Sequence, residues 1–189
     1  MNIEDYKNEE IENAILRITF QGAFQRAKVY SANALEPNRL KFRAFLAKKL
    51  KVILHKIQEI DNYDDNMHYS IIKNFANEIS DSEFKAIIAG GRLRIGIAQK
   101  LINLYWKYSW ILKSNVSTPI HCPFDSIVIN DIIVFKEREK VNWTEFDEKD
   151  NVYLELVERA KQFSGDKYSS IAEMELVEYQ LFLQKSLGG

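Results

Sequence analysis

Residues 92–113 have the sequence RLRIGIAQKLINLYWKYSWILK, in which apolar side chains recur at helical spacing. With about 100° between successive residues, they form one stripe along a helix. Trp106 and Trp110 lie on the opposite side of the same helix. A helix that is apolar on two faces is normally packed between layers, so this stretch predicts a central helix.

Helical spacing continues on both sides of this segment. A helix is predicted from Glu36-Pro37 to Ile60, because proline is tolerated in a first helical turn. The other predicted helices cover residues 5–30, 67–79, 83–89, 152–163 and 171–186, the last with a capping box at Ser170-Ile-Ala-Glu173. Residues 124–135 suit a helix or a strand, and we favour the helix. With 7 Gly and 3 Pro, a turn-rich β-sandwich is disfavoured.

These elements predict an all-α protein, a compact bundle of about seven to eight helices. The bundle is either one body or two lobes with a cleft. We expect one domain over residues 1–189, with a charged linker over 136–150. The single cysteine, the acidic N-terminus and the absence of a long apolar run favour a soluble cytoplasmic protein with no membrane partner.

The charges are segregated along the chain although the net charge is only −1. Residues 84–124 carry 6 basic side chains and no acidic one, including Arg92 and Arg94. In the second predicted helix, Lys41, Lys48 and Lys51 form a basic ridge. Such surfaces suit a polyanion, double-stranded DNA in particular, although they are equally typical of solvated helix faces.

Candidate chemistry centres on Gly90-Gly91, the stretch from Arg92 to Lys100 and the loop that ends at Asp125. Gly96 clears space on the helical side that carries Lys100, where a partly desolvated lysine would have a lower pKa and could act as a nucleophile. The loop is long enough to return Asp125 to Lys100. The histidines and the cysteine are too few and too scattered for a metal site, and no cofactor motif is present.

Residues 82–130 resemble the helix-hairpin-helix DNA glycosylase superfamily, and most nearly its archaeal 8-oxoguanine branch. The resemblance implies a helix-hairpin-helix-like element at about 82–113, with the hairpin around Gly90–Gly96. It implies that Lys100 attacks the sugar C1′ and that Asp125 stabilises the developing positive charge. The DNA contacts would come from the hairpin and basic residues: Gly90, Gly91, Arg92, Arg94, Gly96, Lys41, Lys48 and Lys51. An extruded base could stack on Trp106 and Trp110, although aromatic side chains of this kind are more often part of the core.

The implied activity is excision of a damaged or modified base, with or without cleavage of the resulting abasic site. This hairpin lacks the family's usual Leu-Pro-Gly-Val-Gly sequence, and Lys100 stands four residues after Gly96 rather than two. One alternative is a non-catalytic helical module that binds nucleic acid or protein. Another is a regulatory protein whose acidic segments 59–65 and 145–158 face a basic partner.

Overall fold

The computed structural model describes residues 2–135, 141–146 and 151–187. In these ranges the regular secondary structure is helical, and there is no β-strand. The all-α prediction is therefore confirmed. The α-helices are α1 (Ile3–Phe24), α2 (Glu36–Gln58), α3 (Asp65–Ser80), α4 (Ile95–Leu112), α5 (Val152–Ser164) and α6 (Ile171–Leu187). Shorter turns are the 3-10 turns Lys85–Ile87, Ala89–Gly91 and Trp143–Glu145 and the π-helical turn Val128–Ile132.

Helix α4 is central, as predicted. Every residue from Ile95 to Lys107 is buried, and the helix contacts α1, α2, α3 and the Trp143–Glu145 turn. This burial explains the two apolar faces in its sequence, because the helix has neighbours on all sides. The polar side chains in this part of the helix therefore need partners inside the protein.

Helices α2 and α3 follow their sequence signals. Helix α2 begins at Glu36 with proline in its first turn, and its apolar stripe is buried as far as Ile57 except at Ile53, which is partly buried. Ile60 lies beyond the helix end and is 39% exposed. Helix α3 begins before the predicted residue 67, because the Asp64 side chain accepts a hydrogen bond from the Met67 amide and caps the first turn.

The end of one predicted helix and the whole of another are wrong at the point where the chain forms backbone hydrogen bonds between residues distant in sequence. The predicted helix 5–30 ends at Phe24, and the predicted helix 83–89 is a pair of 3-10 turns. The Ser31 amide donates to the Ile87 carbonyl at 2.8 Å, and the Ala89 amide donates to the Val29 carbonyl at 2.9 Å. These bonds replace the helical bonds that local sequence favours.

The last third of the chain agrees with its predictions in part. Residues 124–135 are helical only from 126 to 132, and Val134 has a positive φ of 49°. The Ser170 hydroxyl caps α6 through the Glu173 amide, but the Glu173 carboxylate accepts from Ser169 rather than from Ser170. The predicted linker 136–150 and the acidic segment 145–158 lie partly outside the described residues.

Candidate functional site

Lys100 and Asp125 meet in the structure although 25 positions separate them in sequence. The Lys100 Nζ lies 3.3 Å from the Asp125 Oδ2, and the two side chains are 9% and 19% exposed. Lys100 is fixed by the central helix, whereas Asp125 comes from the loop that follows Pro123. The sequence argument that the loop can return the carboxylate to the amine is confirmed.

Asp125 is also the cap of the helical turn that follows it. Its second oxygen, Oδ1, accepts hydrogen bonds from the amides of Ile127 at 3.0 Å and Val128 at 3.1 Å. Each oxygen of the carboxylate therefore has its own partners, the backbone amides on one side and the Lys100 amine on the other. The carboxylate is held in one orientation by these contacts.

The Lys100 amine lies in a partly desolvated position. Trp143 covers it, with the ring centroid 4.3 Å from Nζ. Burial lowers the pKa of the Lys100 amine, while the carboxylate of Asp125 acts in the opposite direction and the Arg26 guanidinium lowers the pKa further. These surroundings make the neutral amine easier to form than that of a solvated lysine.

The Lys100–Asp125 pair lines a pocket of about 570 Å³ between α1, α4 and α6. This volume lies within the usual range of small-molecule sites. Apolar side chains of the three helices form much of the wall. The polar and charged residues of the lining are Gln21, Gln25, Lys100, Lys107, Tyr108, Asp125, Glu175, Tyr179 and Gln180.

A second ion pair lies in the same pocket. The Lys107 Nζ approaches the Glu175 carboxylate oxygens at 2.6 Å and 2.9 Å, and the side chains are only 8% and 3% exposed. Burial raises the pKa of the Glu175 carboxyl, and Lys107 opposes that shift. Sequence reasoning missed Glu175, whose available signal was an acidic side chain between the apolar neighbours Met174 and Leu176.

A buried chain of polar side chains runs from the surface to the loop that carries Asp125. The His121 Nε2 lies 3.0 Å from the Asp65 carboxylate, and its Nδ1 lies 2.7 Å from the Tyr153 hydroxyl. A carboxylate only accepts, so His121 donates from Nε2 and accepts the Tyr153 proton at Nδ1. The Tyr153 hydroxyl then accepts from the Asn103 amide at 3.1 Å.

The same argument from hydrogen-bond partners shows which ring nitrogen of the second buried histidine, His68, carries a proton. The His68 Nε2 lies 2.7 Å from the Asn103 Oδ1, which only accepts, and its Nδ1 lies 2.9 Å from the Tyr63 hydroxyl. His68 therefore carries a proton on Nε2, and its Nδ1 can accept the proton of the Tyr63 hydroxyl. Burial lowers the pKa of His68 well below its ordinary value, and burial also lowers the pKa of His121.

These histidines predict acid sensitivity. An unfolded histidine has a pKa of about 6.5, so below that pH the unfolded chain binds more protons than the folded chain and acidification favours unfolding. The lowered pKa of each histidine therefore makes acidification below about pH 6.5 destabilising. The raised pKa of Glu175 works in the opposite direction, and because two histidines oppose one carboxyl we expect a net loss of stability as the pH falls from about 7.5 to about 5.5. Urea denaturation at several pH values measures this loss of stability. A free energy of unfolding that stays constant or rises on acidification would contradict the lowered pKa values of the two histidines.

The predicted hairpin residues do not line the pocket beside Lys100. Gly90, Arg92 and Arg94 line a separate depression of about 230 Å³, and the Arg94 guanidinium donates to the Thr144 carbonyl at 3.1 Å. Gly90 and Gly91 have positive φ angles of 69° and 68°, which glycine adopts without strain. The chain turns sharply here, but 3-10 turns precede this point in place of the α-helix that the helix-hairpin-helix resemblance implied. The turn does not open directly onto the Lys100 pocket.

Gly96 occupies a packing contact and is buried rather than available to a ligand. A Cβ atom built on it would lie 1.5 Å from the Trp143 carbonyl oxygen. The glycine does clear space, as the sequence suggested. That space holds the backbone of Trp143, whose ring in turn covers the Lys100 amine.

The basic ridge and the tryptophans lie apart from the pocket. Lys41 and Lys48 are exposed, and Lys51 is 50% exposed while its Nζ lies 3.5 Å from Glu12. Trp106 is 2% exposed and its indole N–H donates to the Ser117 carbonyl at 2.8 Å. Neither Trp106 nor Trp110 lines the pocket beside Lys100. Base stacking on these two rings thus has no support in the geometry of that pocket.

No helix in the described ranges is both long and apolar enough to cross a membrane. Comparison of the chain with models of protein families finds no match, and searches among curated proteins and among solved structures also find none. The assignment of a function therefore depends on the chemistry of the pocket and on the residues that suggested the glycosylase resemblance.

Proposed function

We propose that the protein is a DNA glycosylase in which Lys100 is the nucleophile and Asp125 the assisting carboxylate. The observation that supports this most strongly is the 3.3 Å approach of Nζ and Oδ2 at the wall of a pocket of about 570 Å³. An amine and a carboxylate from distant parts of the chain share one opening. An enzyme that acts on a base must extrude it from the duplex into such a pocket.

The chemistry begins with the loss of a proton from the Lys100 amine. Burial lowers its pKa, and the Asp125 carboxylate is in contact and can accept the proton. Nζ then forms a bond to the sugar C1′ while the bond from C1′ to the base breaks, and the electron pair leaves with the base. The base takes the proton from Asp125, whose restored negative charge stabilises the positive charge on the sugar.

The DNA backbone would lie against the basic surfaces. Exposed Lys41, Lys48 and Arg92 provide positive charge that suits phosphate groups. Binding through these residues is expected to weaken steeply as salt concentration rises, whatever the base sequence.

Borohydride trapping tests the proposed chemistry. The probes are a duplex with one 8-oxoguanine and a duplex with one aldehydic abasic site, so that the result does not depend on the preferred base. If Lys100 attacks C1′, the nitrogen lone pair then forms a C=N bond while the C1′–O4′ bond of the sugar opens and O4′ takes a proton from the nitrogen. Borohydride reduces the resulting Schiff base to a stable adduct. We expect Lys100→Ala to lower the trapped yield by at least about 100-fold, and Asp125→Asn to slow adduct formation by about 100-fold.

Lys56→Ala is the matched control, because Lys56 is an exposed lysine outside the pocket and the basic ridge. It should trap as the unaltered protein does. Equal yields from Lys100→Ala and Lys56→Ala would remove Lys100 from the mechanism. Salt-sensitive duplex binding without an adduct on either probe would instead favour a non-catalytic nucleic-acid-binding module.

A further inference from the structure

The Gln99 side chain contacts Phe124, the residue that precedes Asp125, at both the backbone amide and the backbone carbonyl of Phe124. The Gln99 Nε2 donates to the Phe124 carbonyl at 2.8 Å, and the Phe124 amide donates to the Gln99 Oε1 at 3.2 Å. The Gln99 side chain is fully buried. One side-chain amide therefore fixes the backbone on both sides of Phe124, immediately before the carboxylate that meets Lys100.

The orientation of the Gln99 amide is fixed by its other contacts. Its Nε2 also donates to the Gly96 carbonyl at 3.0 Å, and its Oε1 accepts from the Asn103 Nδ2 at 3.2 Å. If the amide were rotated by half a turn, oxygen would face the two carbonyls and the amide nitrogen would face the two donors. A buried site cannot offset such a loss with water.

The side-chain amide of Asn103 is itself held in one orientation by partners other than Gln99. The Cys122 carbonyl, which only accepts, lies 2.9 Å from the Asn103 Nδ2, so the amide nitrogen must face the loop. The Oδ1 of Asn103 then faces the His68 Nε2, and the Nδ2 also donates to the Gln99 Oε1. Asn103 and Gln99, one helical turn apart on α4, therefore hold the loop on the face of α4 that carries them.

We infer that Gln99 is a positioning residue that fixes Asp125 against Lys100, and that Asn103 keeps the Gln99 amide in the orientation this requires. Lys100 follows Gln99 directly on α4. The helix that carries the amine thus also supplies the side chain that places its acidic partner, so the distance between the two groups is set by one rigid element.

The pKa of the Lys100 amine depends on where Asp125 lies, so it can be used to measure this placement. The charged groups that act on its amine are Asp125, Arg26 and Glu175, and the Trp143 ring covers it. Asp125 raises the pKa of the Lys100 amine against the effect of burial. If the loop loses its anchor and Asp125 moves away while Trp143 still covers the amine, the pKa of Lys100 falls, because burial then acts without the opposing carboxylate.

The first experiment does not depend on the proposed function. The titration of Lys100 is followed through its ε-carbon NMR signal, which Lys100→Arg assigns, in the unaltered protein, Gln99→Met and Asp125→Asn. We expect the Lys100 pKa to fall in Gln99→Met in the same direction as in Asp125→Asn. A Lys100 pKa unchanged in Gln99→Met but lowered in Asp125→Asn would overturn the inference.

If Gln99→Met does not fold, Gln99→Glu is the second test variant, because it keeps the size and shape of the side chain. Its protonated form can still donate to the Phe124 carbonyl, whereas its ionised form cannot. We expect the amide signals of Ile127 and Val128, the donors to Asp125, to shift as Glu at this position titrates. Signals that stay fixed through that titration would contradict a role for Gln99 in placing Asp125.

The catalytic consequence rests on the proposed function. If the unaltered protein forms the trapped adduct, Gln99→Met should lower kcat on the order of 100-fold with KM little changed, because misplaced reacting groups slow chemistry more than binding. Gln99→Glu should recover activity relative to the unaltered protein as pH falls, and Gln99→Met should not. An inactive unaltered protein would contradict the proposed function alone, whereas an active protein with unimpaired Gln99 variants would contradict the positioning role.

Discussion

Gly96→Ala is expected to destabilise the protein by more than about 3 kcal/mol, although alanine is the better helix former by about 1 kcal/mol. The new Cβ would lie 1.5 Å from the Trp143 carbonyl oxygen and 2.7 Å from its carbonyl carbon. Both atoms belong to the backbone and cannot rotate away. Either the segment 141–146 moves off α4 or the helix shifts, and urea denaturation measures the cost.

Gly22→Ala is the matched control for this prediction, because it also introduces a methyl group within a helix. Its Cβ would lie 2.8 Å from a Leu104 methyl group, the far end of a side chain that can rotate. We expect its free energy of unfolding to stay within about 1 kcal/mol of the unaltered value. A loss in Gly96→Ala no larger than that in Gly22→Ala would contradict the close approach of Trp143 to α4.

Lys107→Met is expected to cost about 3–5 kcal/mol near neutral pH, because it leaves the carboxylate of Glu175 buried without its counter-charge. Glu175 is 2% exposed, and Lys107 supplies the two hydrogen bonds that satisfy its oxygens. The pKa of Glu175 is already raised by burial and will rise further without the lysine. The folded carboxyl then takes up a proton, so the loss should shrink as pH falls.

Two further variants separate the buried pair from a general effect of lysine removal. The double variant Lys107→Met with Glu175→Leu should recover most of the lost stability, because it removes both charges. Lys7→Met breaks an exposed pair with Glu4, whose side chains are 62% and 64% exposed, and should change stability by less than about 0.5 kcal/mol. A double variant less stable than Lys107→Met would contradict the account of the pair.

The helices were predictable because their signals are local. The apolar stripes of α2 and α4, the proline of α2 and the cap of α6 each act within a few residues. The hairpin was not predictable in the same way, because the bonds that end α1 and form the 3-10 turns join Val29 and Ser31 to residues Ile87 and Ala89. Local propensity carries no information about a partner that far along the chain.

The residues of the candidate site also differ in whether the sequence alone could predict their roles. Lys100 and Asp125 could be paired in advance, since a predicted helix and a loop of known length limit how far apart they can lie. Gln99 and Glu175 could not be assigned, because what distinguishes them is a partner from another element, the Phe124 backbone and the Lys107 amine. Trp106 shows the reverse case, because a residue type that suits base stacking packs in the core, the commoner of its two expected roles.

The most direct test of the Lys100–Asp125 chemistry is to locate the adduct within the chain. The unaltered protein is trapped with borohydride on the abasic-site duplex, the DNA is digested to the cross-linked sugar, and the modified peptide is identified by mass spectrometry. We predict that the modification lies on Lys100. An adduct spread over exposed lysines such as Lys56, or no adduct at all, would contradict Lys100 as the nucleophile.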